Sequence, residues 1–170
     1  MLALPHCRRK QHVAFNANFR SSHCTSLHLI APYCLAAAEK VSVTNFYVVN
    51  QEQIPAGEDV FRKEDNYGTY TVEEGPIDPG FVRCVGSGFG GPSGVSGGGV
   101  CVYGYEADTF TMRWEVVSFG VNNWRIVSST GKYSGMTGSG TTKTRVASKF
   151  LALPHRISDW EGEVALPARD

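Results

Sequence analysis

No aspartate or glutamate precedes Glu39 and no glycine precedes Gly57, in a chain of 170 residues that holds 16 acids and 19 glycines. Arg8, Arg9, Lys10 and Arg20 give residues 1–38 a formal charge of +4, so the remainder carries −4 to reach the net of zero. A mildly acidic main body lacks the basic excess of a nucleic-acid surface. Charged residues are sparse at 19%, but the hydrophobic fraction of 42% is enough for a core. After residue 38 the only histidine is His155, which excludes a histidine metal cluster, and the two cysteines, Cys84 and Cys101, cannot form a structural zinc site alone. Neither a metal nor a cofactor is expected. Long apolar runs are missing too, and a membrane-spanning helix needs about 20 such residues.

The acid-free segment has its own order. Arg8 to Arg20 is basic and polar, Leu27 to Leu35 is mostly apolar, and Ala36-Ala37-Ala38 ends it on small residues. That order describes a secretory signal peptide cleaved after Ala38 and a secreted or periplasmic product. An organellar transit peptide, or a tail with no address, is the alternative. The expected organisation is a targeting segment at 1–38 and one domain at 39–170.

Within that domain, apolar and polar residues alternate. In Thr109 to Val116 every second residue is large and apolar, which puts Phe110, Met112, Trp114 and Val116 on one strand face. Asn123 to Val127 pairs Trp124 with Ile126 in the same way. Further strands are expected at Val43 to Val49, Tyr67 to Val72, Phe81 to Phe89, Val100 to Tyr105, Thr141 to Ala147 and Ser158 to Leu166. The charged stretch from Gly57 to Asp65 reads as a loop. About eight short strands and no amphipathic helix predict an all-β antiparallel barrel. Closure is preferred to a sandwich because these strands carry few edge-protecting prolines or lysines.

The turn-rich segment Gly90 to Gly97 separates two of those strands. A hairpin centred near Pro92 and Ser93 sets Cys84 opposite Cys101, at a separation a disulfide spans. Two unpaired, packed thiols are the alternative.

The run Ser128 to Gly140 looks like a phosphate loop and fails as one: Tyr133 follows Gly131-Lys132, and no helix pattern comes after it. Instead Thr130-Gly131-Lys132-Tyr133-Ser134-Gly135-Met136-Thr137-Gly138 resembles the turn motif of the allene oxide cyclase and dirigent barrels, including small exported bacterial members. Phe46-Tyr47-Val48-Val49-Asn50 is similar to their first strand, and Gly97 to Cys101 to the third or fourth. The resemblance implies an eight-stranded barrel of that kind. It also implies a glutamate two residues before an asparagine on the first strand. Asn50 matches the asparagine, but Val48 stands where the glutamate should be, so jasmonate-type cyclisation is not expected. Glu73, Glu106, Glu115 and Glu163 are the strand acids, and none aligns with a family acid.

Other catalytic signals are thin. No nucleophile elbow accompanies His155, which reads as a solvated loop residue. Glu115 alternates with Trp114 and should face solvent. The aromatics Tyr103, Tyr105, Phe110, Trp114 and Trp124 form either a ligand-stacking wall or core filling. Two functions therefore stay open. One is an exported barrel that binds a small, largely apolar molecule through Asn50, Phe110, Met112, Trp114, Trp124 and Ile126, and steers its cyclisation or isomerisation. The other is a non-enzymatic barrel with a filled core, acting through its surface or as a homo-oligomer. An interior opening above about 300 Å³ favours the first.

Overall fold

The computed structural model describes residues 37–150 and 153–168. The expected leader lies outside the described residues, apart from Ala37 and Ala38. Eight strands follow in chain order: β1 (Glu39–Ala56), β2 (Asp59–Glu74), β3 (Gly80–Gly91), β4 (Gly94–Tyr105), β5 (Asp108–Ser118), β6 (Val121–Ser129), β7 (Thr137–Phe150) and β8 (Leu153–Ala165). Each pairs antiparallel with the next, and β8 returns to pair with β1, closing the barrel. Closure gives every strand a neighbour on both sides, although β1 beyond Val48 pairs with β2 alone. The only helical turn among the described residues is a 3-10 turn at Gly131–Tyr133.

Alternation sorts the side chains as expected. On β5, Phe110 and Met112 are fully buried and Trp114 is half-buried. On β3, Val82 and Cys84 face inward while Phe81, Arg83 and Val85 face outward.

Two loop expectations are overturned, and the first is His155, which is exposed but lies within β8, paired with Val48 of β1. Gly57 to Asp65 is not a loop either: Asp59 onward is the first half of β2, paired from Ala56↔Asp59 through Asn50↔Asp65 with β1. Arg62, Glu64 and Asn66 occupy alternate positions there. Both faces of this half-strand are polar, so the hydrophobic contrast that marks a strand is missing.

The barrel interior has two unlike halves. Toward the end that carries the 3-10 turn, an aromatic cluster fills it. Trp160 packs edge-on against Trp124 at 4.9 Å and Tyr103 at 5.7 Å, and Tyr103 stacks on Phe110 at 5.1 Å. The glycine motif closes this end. Gly131 (φ 57°) and Gly135 (φ 80°) take the left-handed conformation that other residues resist, which turns Tyr133 and Met136 into the core. The Tyr133 hydroxyl then accepts the Asp78 amide at 2.9 Å, tying the plug to the β2–β3 connection.

Candidate functional site

The opposite half of the interior is open. A cavity of about 460 Å³ lies beneath the turns that join β1 to β2, β3 to β4 and β5 to β6. Its size lies within the range of small-molecule sites.

The floor is polar. Cys84 and Cys101 face each other in the β3–β4 register and are joined by a disulfide, with Cα atoms 4.0 Å apart. Tyr47 Oη lies 3.4 Å from Tyr103 Oη and 3.4 Å from the Cys84 sulfur. A disulfide sulfur has no hydrogen, so in that second contact Tyr47 is the donor. Burial pushes both phenols above their usual range, Tyr103 further than Tyr47. Both therefore stay neutral at physiological pH and keep a proton to donate.

One wall is apolar. Met112, Trp114 and Val116 of β5 line it, and Phe119, 82% exposed, stands at the rim. The Trp114 indole packs against β3 and β4 because Gly86 and Gly99 present no side chain there. A methyl group on Gly99 would sit 2.7 Å from the ring, and one on Gly86 would be closer still.

The facing wall is charged. Arg156 of β8 sits opposite Tyr47 of β1 and reaches across β1 to Glu64 of β2. Its two Nη groups donate to the Glu64 oxygens at 2.8 and 3.0 Å. Burial alone would raise the Glu64 carboxyl. The Arg156 hydrogen bonds and charge, with the Asn66 amide, outweigh it and hold the group below the usual carboxylate value. Asn66 Nδ2 donates to Glu64 Oε2 at 3.0 Å, and Asn66 Oδ1 is buried with no partner. Arg62 Nε is likewise buried with no partner.

The residues expected to bind a ligand divide. Met112 and Trp114 line the cavity, as do Cys84 and Cys101. Phe110 and Trp124 are buried in the aromatic half, with Ile126 packed against that core, and none of the three reaches the cavity lining. Asn50 is exposed and shares the outward parity of Phe46, so it is not brought to the cavity. The inward asparagine of β1 is Asn45, whose amide lies 3.4 Å from the backbone oxygen of Ser158. The charged wall and Tyr47 escape the sequence reading, whereas Tyr103 is among the aromatics weighed there as a ligand wall. A parity count from Val43 would have set Tyr47 inside, and one back from Tyr70 would have set Asn66, Glu64 and Arg62 beside it.

Outside the barrel, Tyr67, Phe81, Val85, Val100, Val102 and Tyr105 are exposed together on β2 to β4. Among the described residues there is no cluster of potential metal ligands, and no helix is long and apolar enough to cross a membrane.

No protein-family model matches the sequence, and no curated protein sequence matches it. Among solved structures, a pterocarpan synthase dirigent protein aligns over 86% of this chain and 100% of its own, at 13% identity and a TM-score of 0.50. A second pterocarpan synthase dirigent protein aligns over 81% of this chain and 100% of its own, at 11% identity and a TM-score of 0.49. At such identity the likeness is one of fold. Taken with the closed eight-stranded meander, it makes the described chain a barrel of the dirigent and allene oxide cyclase-like fold.

Proposed function

We propose that the barrel binds a small, largely apolar molecule in the open half of its interior and steers its cyclisation or isomerisation. The observation that carries this reading is the cavity of about 460 Å³ between the Trp114 wall and the Tyr47–Tyr103 floor. A filled core would have left no such space. Steering needs shape and orientation more than a nucleophile, since holding reacting atoms in place supplies several kcal/mol by itself, of order 7–11 in the best cases. The neutral Tyr47 hydroxyl can turn its one proton from the Cys84 sulfur, a weak acceptor, to an oxygen that gains charge as a ring closes or opens. The test is titration with a neutral naphthylamine dye whose fluorescence rises in apolar surroundings. Saturable binding that weakens in Trp114→Ala supports the reading, and no binding to the unmodified protein removes it. In this reading the barrel is exported, the segment 1–38 is its address, and the Cys84–Cys101 bond suits an oxidising compartment.

A second reading is favoured by the outer face. The exposed cluster of Tyr67, Phe81, Val85, Val100, Val102 and Tyr105 is the kind of surface that a partner covers, and it fits a homo-oligomer or an interaction barrel. Sedimentation of the protein against Val102→Asp measures self-assembly: an assembly that the charge dissociates supports the homo-oligomer, and an unmutated monomer ends it.

A further inference from the structure

A crosslink that serves only the fold works as well out of reach of solutes, whereas exchange needs a sulfur that a thiolate can touch. Cys84 and Cys101 meet on the inner face of β3 and β4, each is 6% exposed rather than sealed, and both line the open cavity. A small solute therefore has a route to the bond that requires no unfolding.

The two sulfurs have unlike surroundings. The Tyr47 hydroxyl donates to the Cys84 sulfur at 3.4 Å, and among the described residues no donor reaches the Cys101 sulfur. Exchange proceeds by attack on one sulfur and departure of the other, and the better leaving sulfur is the one whose negative charge is stabilised. Tyr47 thus marks Cys84 as the leaving sulfur and Cys101 as the one attacked.

Charge selects the partner. Arg62, Arg145 and Arg156 line the cavity against Glu64, and counting Asp159, the partner of Arg145, three cations face two anions. A net positive cleft draws in anions, and the attacking species is itself an anion. The Arg156 charge reaches the Tyr47 hydroxyl and makes it a better donor than burial alone would leave it.

We infer that the Cys84–Cys101 bond is a thiol–disulfide exchange site whose substrate is a small anionic thiol entering by the cavity. The thiolate attacks the Cys101 sulfur. Its bond to that sulfur forms as the Cys84–Cys101 bond breaks, and the electron pair goes to the Cys84 sulfur. The proton shed by the incoming thiol ends there, with the Tyr47 hydroxyl hydrogen-bonded to the thiolate as it forms. A second thiol attacks the mixed disulfide and carries the first away. Two thiols are thereby oxidised to one small disulfide, and the Cys84–Cys101 pair is reduced to two thiols. The cavity serves here as an entrance, whether or not an apolar ligand also binds in it.

The test uses two thiols of similar size, mercaptoethanesulfonate and cysteamine, which differ in the sign of their second charge. The folded full chain is treated with each, quenched with iodoacetamide and mapped by peptide mass. At equal thiolate concentration the sulfonate should react about tenfold faster. The first product should be a mixed disulfide on Cys101 with Cys84 alkylated. Tyr47→Phe should slow this step about tenfold in the folded protein, the loss of one hydrogen bond to a charged group, and change nothing in urea-unfolded protein. A variant that merely loosened the barrel would react faster instead. Rates should also stay flat with urea below the unfolding transition. No reaction of the folded protein, or a rate that climbs from the first additions of urea, means that the sulfurs meet thiols only after opening and overturns the inference. Equal rates for the two thiols overturn the choice of an anion. A mixed disulfide on Cys84, or a Tyr47→Phe rate at or above that of the unmodified protein, overturns the role of Tyr47.

Discussion

Trp114 and Trp124 stand opposite each other across the β5–β6 ladder, yet their indoles run in opposite directions. Trp114 lies over Gly86 and Gly99, while Trp124 lies over Gly140 and Gly162. The second ring is 3% exposed, packs on Trp160 and donates Nε1 to the Thr141 oxygen at 3.1 Å. The first borders the cavity. One register pair thus marks the boundary between the filled and open halves of the barrel.

Unequal costs follow. Trp124→Ala should destabilise by about 3–5 kcal/mol, because a packed ring is replaced by a void. Trp114→Ala enlarges space that already exists and should cost less, about 2 kcal/mol or below. Denaturant unfolding of the two variants measures the difference, and equal losses would contradict a half-open interior.

The glycine platforms give a second contrast. Gly86→Ala pushes against the Trp114 ring, which can swing into the cavity, and against the Gly98 backbone oxygen at 2.9 Å, so dye affinity should fall about tenfold with a stability loss of about 1 kcal/mol. Gly162→Ala meets the Ser139 backbone oxygen and the Trp124 ring, neither of which has room to yield. Overpacking there should cost about 1–3 kcal/mol, read from thermal or denaturant unfolding.

Acid should loosen the barrel through Glu64. Its folded value lies below the ordinary 4.5, so its contribution to stability is complete above that pH and drains away as pH falls through the folded value. Unfolding midpoints measured from pH 6 downward should therefore drop below about pH 4.5. Glu64→Gln should flatten that dependence. Its stability at neutral pH should be lower, by about 3 kcal/mol, since Arg156 is left half-buried without its carboxylate.

The disulfide predicts a thiol count and an energy. Cys84 and Cys101 are 17 residues apart in sequence. Denatured, unreduced protein, freed of its first 38 residues, should show no titratable sulfhydryl. Replacing both cysteines by serine should cost about 3 kcal/mol on loop entropy, checked by unfolding under oxidising conditions. Two labelled cysteines in exported material would count against the bond.

Processing is the last expectation. β1 begins at Glu39, immediately after Ala36-Ala37-Ala38. Intact mass of protein made in its native host should correspond to a start at Glu39. Peptides containing Cys7 or Cys24 recovered from exported material would refute cleavage at that point.

The sequence by itself determined the strands whose two faces differ, the inward row of Phe110, Met112 and Trp114, and the Cys84–Cys101 pairing. Each is local: alternation or a turn position specifies it within about 20 residues. The glycine motif at Thr130 to Gly138 was legible as a folding element for the same reason. The charged wall was not. Arg62, Glu64 and Asn66 sit on a strand whose interior face is polar because it borders a cavity, and hydrophobic pattern is blind to such a strand. Glu64 and Arg156 are 92 residues apart in sequence and meet only because closure places β8 and β2 on either side of β1. Which half of the barrel is filled was likewise a tertiary decision. Whether Trp114 or Trp124 becomes core depends on which glycines lie beneath each ring and on Trp160 arriving from β8, and no local spacing encodes that meeting.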